Sequence, residues 1–225
     1  KMIVEGLHIV GDVFANIGIW FSGFRGNERH YHKIVRTAYR KFVMLVIVST
    51  IPTGVIGILF KDTVELAGTM LIVPGICLLI TSVFLVIADY ADEGTKRPRE
   101  ASYVNAGLIG VAQGIATMPG LSRSGTTISA GMLRGFDRTF AVKFSFFLSI
   151  PAVLGANLLS LVKAISAGIN WPEVPMYLCG VAAAFVSGYL AIFALNRIAQ
   201  RGKFGGFCYY CWGAGLLTLI LSLIS

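Results

Sequence analysis

Residues 118–129 read Met-Pro-Gly-Leu-Ser-Arg-Ser-Gly-Thr-Thr-Ile-Ser, and this stretch decides how the chain folds. It lies within a glycine-rich segment, residues 103–136, where Pro119, Arg123 and a run of hydroxyl side chains separate two apolar halves. Irregular backbone at membrane depth is stable only where it packs in protein or lines a wet cavity. The segment therefore predicts a re-entrant hairpin with its polar turn near residues 120–125. The alternative is an ordinary span kinked by proline, which would shift the topology by one crossing.

The rest of the chain has the composition of a membrane protein. Of its 225 residues 56% are hydrophobic and 13% are charged, whereas soluble domains have about 25% charged residues. Buried helices of a large soluble enzyme rarely include several apolar runs near the ~20 residues that cross a bilayer. We therefore expect an all-α integral membrane protein, a polytopic helical bundle in which residues 1–225 form one membrane domain. The predicted spans are residues 2–21, 42–60, 66–88, 140–162, 175–195 and 207–224.

The basic residues predict the orientation of these spans. The net charge is +8, but Lys and Arg do not form a stripe along any helix, so no nucleic-acid partner is expected. The basic residues cluster in alternate connections between the spans, and the remaining connections have only Lys61 and Lys163 as basic residues. By the positive-inside rule, the basic connections face the cytoplasm. They follow the first, third and fifth of these spans and contain Arg25, Arg29, Lys33, Arg36, Arg40 and Lys41, then Lys96, Arg97 and Arg99, then Arg197, Arg201 and Lys203.

The cysteines and the N-terminus give weaker signals. Cys77, Cys179, Cys208 and Cys211 lie in or at the ends of apolar segments, where cysteine behaves as a small hydrophobe. The pair at 208 and 211 has no second ligand pair, which disfavours a zinc or redox role. No cleavable signal peptide is recognisable. The chain begins with lysine instead of methionine, so we expect that its natural N-terminus is missing.

Arg123 and its neighbours predict an anion site. A membrane arginine costs about 3 kcal/mol or more unless it meets a cavity and an anion, and its planar guanidinium matches phosphate oxygens bidentately. A helix beginning near Thr126 would direct its positive end at the same anion. The alternative is an arginine that extends to the membrane surface from a short helix end. The candidate phosphate ligands and supporting residues are Gln113, Gly120, Ser122, Arg123, Ser124, Gly125, Thr126 and Thr127.

Residues 119–127 resemble the PGxSRSGxT motif of the undecaprenyl-diphosphate phosphatases, the bacitracin-resistance family. The similarity continues in residues 110–114, reading Gly-Val-Ala-Gln-Gly, and in residues 143–151, reading Lys-Phe-Ser-Phe-Phe-Leu-Ser-Ile-Pro. Residues 51–57, Ile-Pro-Thr-Gly-Val-Ile-Gly, resemble an earlier kinked span of that family. The resemblance covers most of the chain.

The resemblance implies a multi-pass enzyme of the bacterial cytoplasmic membrane that hydrolyses undecaprenyl diphosphate to the monophosphate and so recycles the lipid carrier of cell-wall synthesis. It implies an inverted repeat with two re-entrant hairpins, a site open to the extracytoplasmic side, and a divalent cation, magnesium or calcium. It gives functional roles to Ser122, Arg123 and Thr127, with Arg123 binding phosphate. A homodimer is left open, and the metal ligands are unknown.

The sequence departs from the family in its first repeat. The acidic, serine and histidine motif of that repeat is not intact, and residues 4–8, Val-Glu-Gly-Leu-His, are either its remnant or the start of the following span, which we favour. The likeness of Glu5, His8 and Asp12 to a catalytic group is weak, since polar residues at helical spacing also join helices in bundles. An inactive fragment or a degenerate homologue is therefore one alternative. A lipid-carrier transporter that uses the same broken helix is another, whereas a structural subunit does not explain Arg123.

Overall fold

The computed structural model describes residues 11–12, 37–91, 94–167, 171–200 and 205–224. Within these ranges extended backbone pairs at a single isolated bridge, between Lys96 and Phe136. Besides the helical residues 11–12, the described ranges contain eight α-helices and the 3₁₀ turn Trp171–Glu173. The helices are α1 Ala38–Leu59, α2 Lys61–Thr69, α3 Ile72–Tyr90, α4 Tyr103–Ile115, α5 Arg123–Leu133, α6 Arg138–Ala167, α7 Val174–Gln200 and α8 Gly205–Ile224.

Five of these helices, α1, α3, α6, α7 and α8, are long and apolar enough to cross a membrane. They correspond to five of the six predicted spans, which confirms an all-α, multi-pass architecture. The remaining predicted span, residues 2–21, lies outside the described residues except for residues 11–12. Three expectations stay predictions. They are the first repeat of an inverted pair, the single domain over residues 1–225 and a homodimer.

The predicted third span, residues 66–88, has the wrong boundary. Its first residues belong to α2, and Met70 adopts an extended conformation with φ −105° and ψ 114° before α3 begins at Ile72. Apolar Leu66 made the two segments look continuous in the sequence. The charged residues Lys61, Asp62 and Glu65 make α2 an amphipathic helix between two spans.

The glycine-rich segment forms a helix–loop–helix hairpin with a break between its arms, where the polar turn was predicted. α4 has 13 residues and α5 has 11, so they are about 20 and 16 Å long, and neither alone crosses a ~30 Å hydrocarbon core. At the base of the hairpin the Lys96 N–H donates to the Gly135 carbonyl at 3.0 Å, and the Asp137 N–H donates to the Lys96 carbonyl at 3.0 Å. The chain thus enters and leaves the hairpin at one end, and the re-entry of this hairpin from one side of the membrane stays a prediction.

α4 packs closely along α1 through its small residues. The Ser49 hydroxyl donates to the Ala106 carbonyl at 2.6 Å, and the Thr53 hydroxyl donates to the Gly110 carbonyl at 2.8 Å. A Cβ atom at Gly110 would lie 2.1 Å from the Ser49 carbonyl oxygen. Small residues and interhelical hydroxyl bonds are typical of helix pairs in membranes, where lipid supplies no hydrophobic drive for association. This contact fixes the first arm of the hairpin against a membrane-length helix.

Candidate functional site in the hairpin

The second arm of the hairpin begins at Arg123, three residues earlier than the expected start near Thr126. Ser122 is the reason, because its hydroxyl oxygen accepts a hydrogen bond from the Gly125 N–H at 3.1 Å and caps the helix. The backbone N–H of Ser122 donates in turn to the Thr81 hydroxyl of α3 at 3.0 Å. The first turn of α5, which presents unpaired backbone N–H groups, is therefore held against α3 with Arg123 as its first residue.

The turn before α5 depends on Gly120. This glycine has φ +85°, a left-handed conformation that side chains disfavour. A Cβ atom there would lie 2.4 Å from the carbonyl oxygen of Pro74, in the first turn of α3. The Pro119 ring packs 3.7 Å from the Cβ position of Gly68 in α2. Gly120 thus allows a sharp turn and a close approach to α3, whereas a direct contact with an anion stays a prediction.

A cavity of about 480 Å³ lies between the end of α4, the loop, the start of α5, the middle of α6 and one residue of α7. Its polar side chains are an amide, a guanidinium and five hydroxyls. The polar lining is Gln113, Thr117, Arg123, Ser124, Thr127, Ser145 and Ser149, and the apolar lining is Ala116, Met118, Leu121, Phe146 and Ile192. The cavity therefore offers both polar groups that suit an anion and apolar groups that suit a hydrocarbon chain.

Arg123 has no protein partner within the part of the chain that the structure describes. Its side chain is exposed, and its guanidinium makes no hydrogen bond or ion pair with a described residue. The cation is therefore available to an anion in the cavity. Several carboxylates are paired at other places, in the ion pairs Arg40–Asp12 at 2.6 Å, Lys61–Glu65 at 3.5 Å and Arg138–Asp89 at 3.6 Å.

Two buried polar side chains of the cavity wall join the hairpin to α6. The Thr127 hydroxyl lies 2.5 Å from the Ser145 hydroxyl. The Gln113 amide nitrogen donates to the Leu148 carbonyl at 3.3 Å, while its amide oxygen has no partner among the described residues. Because the carbonyl of Leu148 requires a donor, this contact fixes which end of the amide faces α6. The hairpin and α6 therefore form a single polar wall.

Four of the eight predicted site residues line the cavity, and the other four are not part of its lining. Gln113, Arg123, Ser124 and Thr127 line it. Gly120 shapes the turn, Ser122 caps the helix, and Gly125 and Thr126 are buried in α5. The residues that sequence reasoning missed are Thr81, Thr117, Ser145 and Ser149. For Ser145 and Ser149 the only signal in the sequence was the similarity of residues 143–151 to the family.

The described residues do not fit a divalent cation. Within the described ranges no carboxylate lines the cavity, and no group of three His, Cys, Asp or Glu side chains there could hold a metal ion. Magnesium and calcium prefer oxygen ligands that include carboxylates. Glu5 and His8 lie outside the described residues, and Asp12 is paired with Arg40. No chemical step is therefore assigned to a metal.

Comparison with known sequences identifies the family of the chain. The profile of a family described as bacitracin resistance protein BacA matches residues 9–217. The chain belongs to the BacA family. The matched region contains the whole hairpin, the cavity and all five membrane-length helices except the end of α8.

Three relatives, each named undecaprenyl-diphosphatase, illustrate the similarity. The protein from Alkaliphilus metalliredigens is 38% identical over 84% of this chain and 69% of its own length. The protein from Methanothermobacter thermautotrophicus is 43% identical over 80% of this chain and its own entire length. The protein from Parabacteroides distasonis is 37% identical over 96% of this chain and 82% of its own length. The BacA family therefore accounts for most of the sequence.

Proposed function

We propose that this BacA-family protein hydrolyses undecaprenyl diphosphate to undecaprenyl phosphate and inorganic phosphate, and so recycles a lipid carrier for cell-wall synthesis. The observation that carries the proposal is Arg123, a cation on the first turn of α5 that has no partner among the described residues and lies in a cavity lined with hydroxyls. A helix N-terminus and a guanidinium both favour a phosphate group at this place. The names of the relatives support the same substrate.

The proposed reaction exchanges one phosphorus–oxygen bond for another. A water oxygen bonds to the terminal phosphorus while the bond from that phosphorus to the bridging oxygen breaks. The electron pair of the broken bond stays on the lipid monophosphate, and the protons of the water pass to the released phosphate and to solvent. Arg123 neutralises the charge that develops on the phosphate oxygens, and Ser124 and Thr127 supply neutral donors beside it. Their contribution is positioning and electrostatic stabilisation.

The apolar part of the cavity lining suits the prenyl chain. Met118, Leu121 and Phe146 face the cavity together with Ile192 of α7. α7 is exposed along most of its length and supplies large apolar side chains such as Phe185 and Leu190. A diphosphate bound at Arg123 would therefore have a hydrocarbon surface beside it, and its lipid tail could extend along α7 into the bilayer.

The packing of the hairpin supports an extracytoplasmic opening. α4 runs parallel to α1, because Ala106 bonds to Ser49 and Gly114 packs on Ile56, three residues before α1 ends. The turn that follows α4 thus lies near the end of α1, about 5 Å from it along the helix axis. The basic segment with Lys96 is at the other end of the hairpin. If the basic end is cytoplasmic, the site opens toward the outside of the bacterial cytoplasmic membrane.

The test is phosphate release by the full chain purified in detergent. We expect release from undecaprenyl diphosphate and none from undecaprenyl monophosphate, measured with magnesium, with calcium and with a chelator. The chelator arm tests the divalent cation, for which the described residues supply no ligand set. Absence of release under all conditions would contradict the proposal. Movement of the intact lipid between leaflets of proteoliposomes, without release, would instead support a transporter.

A further inference from the structure

Thr127 of α5 and Ser145 of α6 form a short hydroxyl pair in the wall of the cavity. Their oxygens are 2.5 Å apart, at the short end of the range for hydroxyl hydrogen bonds. The two residues are 2% and 3% exposed, and both line the cavity. A buried hydroxyl bond of this kind fixes the position of both groups, since neither can exchange its partner freely for water.

The neighbouring contacts of Thr127 favour one direction for this bond. Thr127 has one hydroxyl proton, and its oxygen lies 2.9 Å from the Arg123 carbonyl and 3.2 Å from the Ser124 carbonyl. Carbonyl oxygens only accept hydrogen bonds. With the Thr127 proton directed at a carbonyl, the proton between the two hydroxyls must come from Ser145. In that arrangement Ser145 is the donor and Thr127 is the acceptor.

We infer that Ser145 is a positioning residue that acts through Thr127, an inference that rests on the proposed phosphatase function. When Thr127 turns its proton from the backbone toward a phosphate oxygen, Ser145 still donates to it. The result is a chain of hydrogen bonds from Ser145 to Thr127 to phosphate, in which the first bond polarises the second. The backbone carbonyl of Arg123 and the phosphate compete for one proton, and the donation from Ser145 keeps the Thr127 oxygen in place during the exchange.

The expected effect of Ser145→Ala is a loss of about fivefold to tenfold in kcat/KM, the size of one neutral hydrogen bond. If the bond strengthens as charge develops on the phosphate, the loss is in kcat more than in KM. Thr127→Val removes the other hydroxyl with little change of shape. If Ser145 acts through Thr127, the double variant loses no more activity than Thr127→Val alone.

Ser129→Ala is the matched control, because Ser129 is 1% exposed, lies on the same helix as Thr127, does not line the cavity and has no side-chain hydrogen bond to a described residue. We expect wild-type turnover for it. All variants are compared by thermal unfolding in detergent, and Ser145→Thr, which keeps the hydroxyl, should recover part of the activity if Ser145→Ala unfolds.

Independent losses that multiply in the double variant, or wild-type turnover of a folded Ser145→Ala protein, would overturn the inference. If the wild-type chain itself releases no phosphate, the proposed function fails. The inference is then tested by binding of a short prenyl diphosphate, for which the same four-variant cycle should show coupling between Thr127 and Ser145. Equal affinity of the wild type and Ser145→Ala would contradict it.

Discussion

Replacing Gly110 by alanine should separate α4 from α1. The new Cβ atom would lie 2.1 Å from the Ser49 carbonyl oxygen and 2.8 Å from the Pro52 ring. The nearest atom belongs to backbone, which cannot rotate away, so the helices must shift apart. The shift would stretch the hydrogen bonds from Ser49 to Ala106 and from Thr53 to Gly110. Gly110→Ala therefore tests whether this packing holds the hairpin in place.

The expected loss of stability in Gly110→Ala has two sources, the overpacked contact and the stretched interhelical hydrogen bonds. Overpacking of a close contact costs about 1–3 kcal/mol, and each interhelical hydrogen bond in a membrane contributes about 0.6 kcal/mol. Gly107→Ala is the matched control, because Gly107 lies on the same helix and a Cβ atom there would have no described atom within 4 Å. The gain in helix propensity is shared by the two variants and cancels. The free energy of unfolding of Gly110→Ala should therefore be roughly 2–4 kcal/mol below that of Gly107→Ala.

The assay is equilibrium unfolding in mixed micelles, followed by circular dichroism, with phosphate release measured in parallel. Because α4 carries Gln113 and leads into the turn, Gly110→Ala should also lose turnover, while Gly107→Ala should keep it. Equal unfolding free energies for the two variants would refute the reasoning that close packing on α1 fixes the hairpin.

Three further predictions concern the turn, the cap and the topology. Gly120→Ala should abolish turnover, because φ is +85° and the new Cβ would lie 2.4 Å from the Pro74 carbonyl oxygen, whereas Gly68→Ala, with its nearest neighbour at 3.7 Å, should leave turnover unchanged. Ser122→Ala should lower the stability by about 1 kcal/mol by removing the cap of α5, and Ser122→Asn should restore stability; turnover that stays low in a stable Ser122→Asn protein would indicate a direct role in substrate binding. Single cysteines placed in residues 23–41 should resist an impermeant thiol reagent in intact cells, and labelling there would reverse the proposed orientation.

The sequence predicts the membrane-length helices and the hairpin because both depend on local composition. Apolar runs identify the spans, and Pro119-Gly120 with the following hydroxyls identifies the break. Boundaries are less certain, as at α3, where an apolar leucine in α2 extended the predicted span. A single sequence shows hydropathy at these positions but not the extended conformation of Met70.

The site is less predictable because its contacts join different helices. The pairing of Thr127 with Ser145 depends on the packing of α5 against α6, and the contact of Ser122 with Thr81 spans 41 residues. Ser122 was expected at the phosphate, yet its hydroxyl caps α5, a role that serine also favours at a helix start. Residue type alone does not distinguish these two uses of a hydroxyl.

Arg123 provides the most direct test of the proposed phosphate-binding site. Arg123→Lys keeps the charge but loses the planar fork, so it should bind lipid diphosphate more weakly in a folded protein, and Arg123→Ala should lose more. Removing one partner of a charge-assisted contact that the bound substrate buries costs about 2–5 kcal/mol, roughly a thirtyfold or greater loss. The measurement is kcat/KM for phosphate release from undecaprenyl diphosphate by wild type and both variants, with thermal unfolding as the folding control. We predict that activity falls from wild type to Arg123→Lys to Arg123→Ala. Unchanged affinity and turnover in a well-folded Arg123→Ala protein would contradict the account.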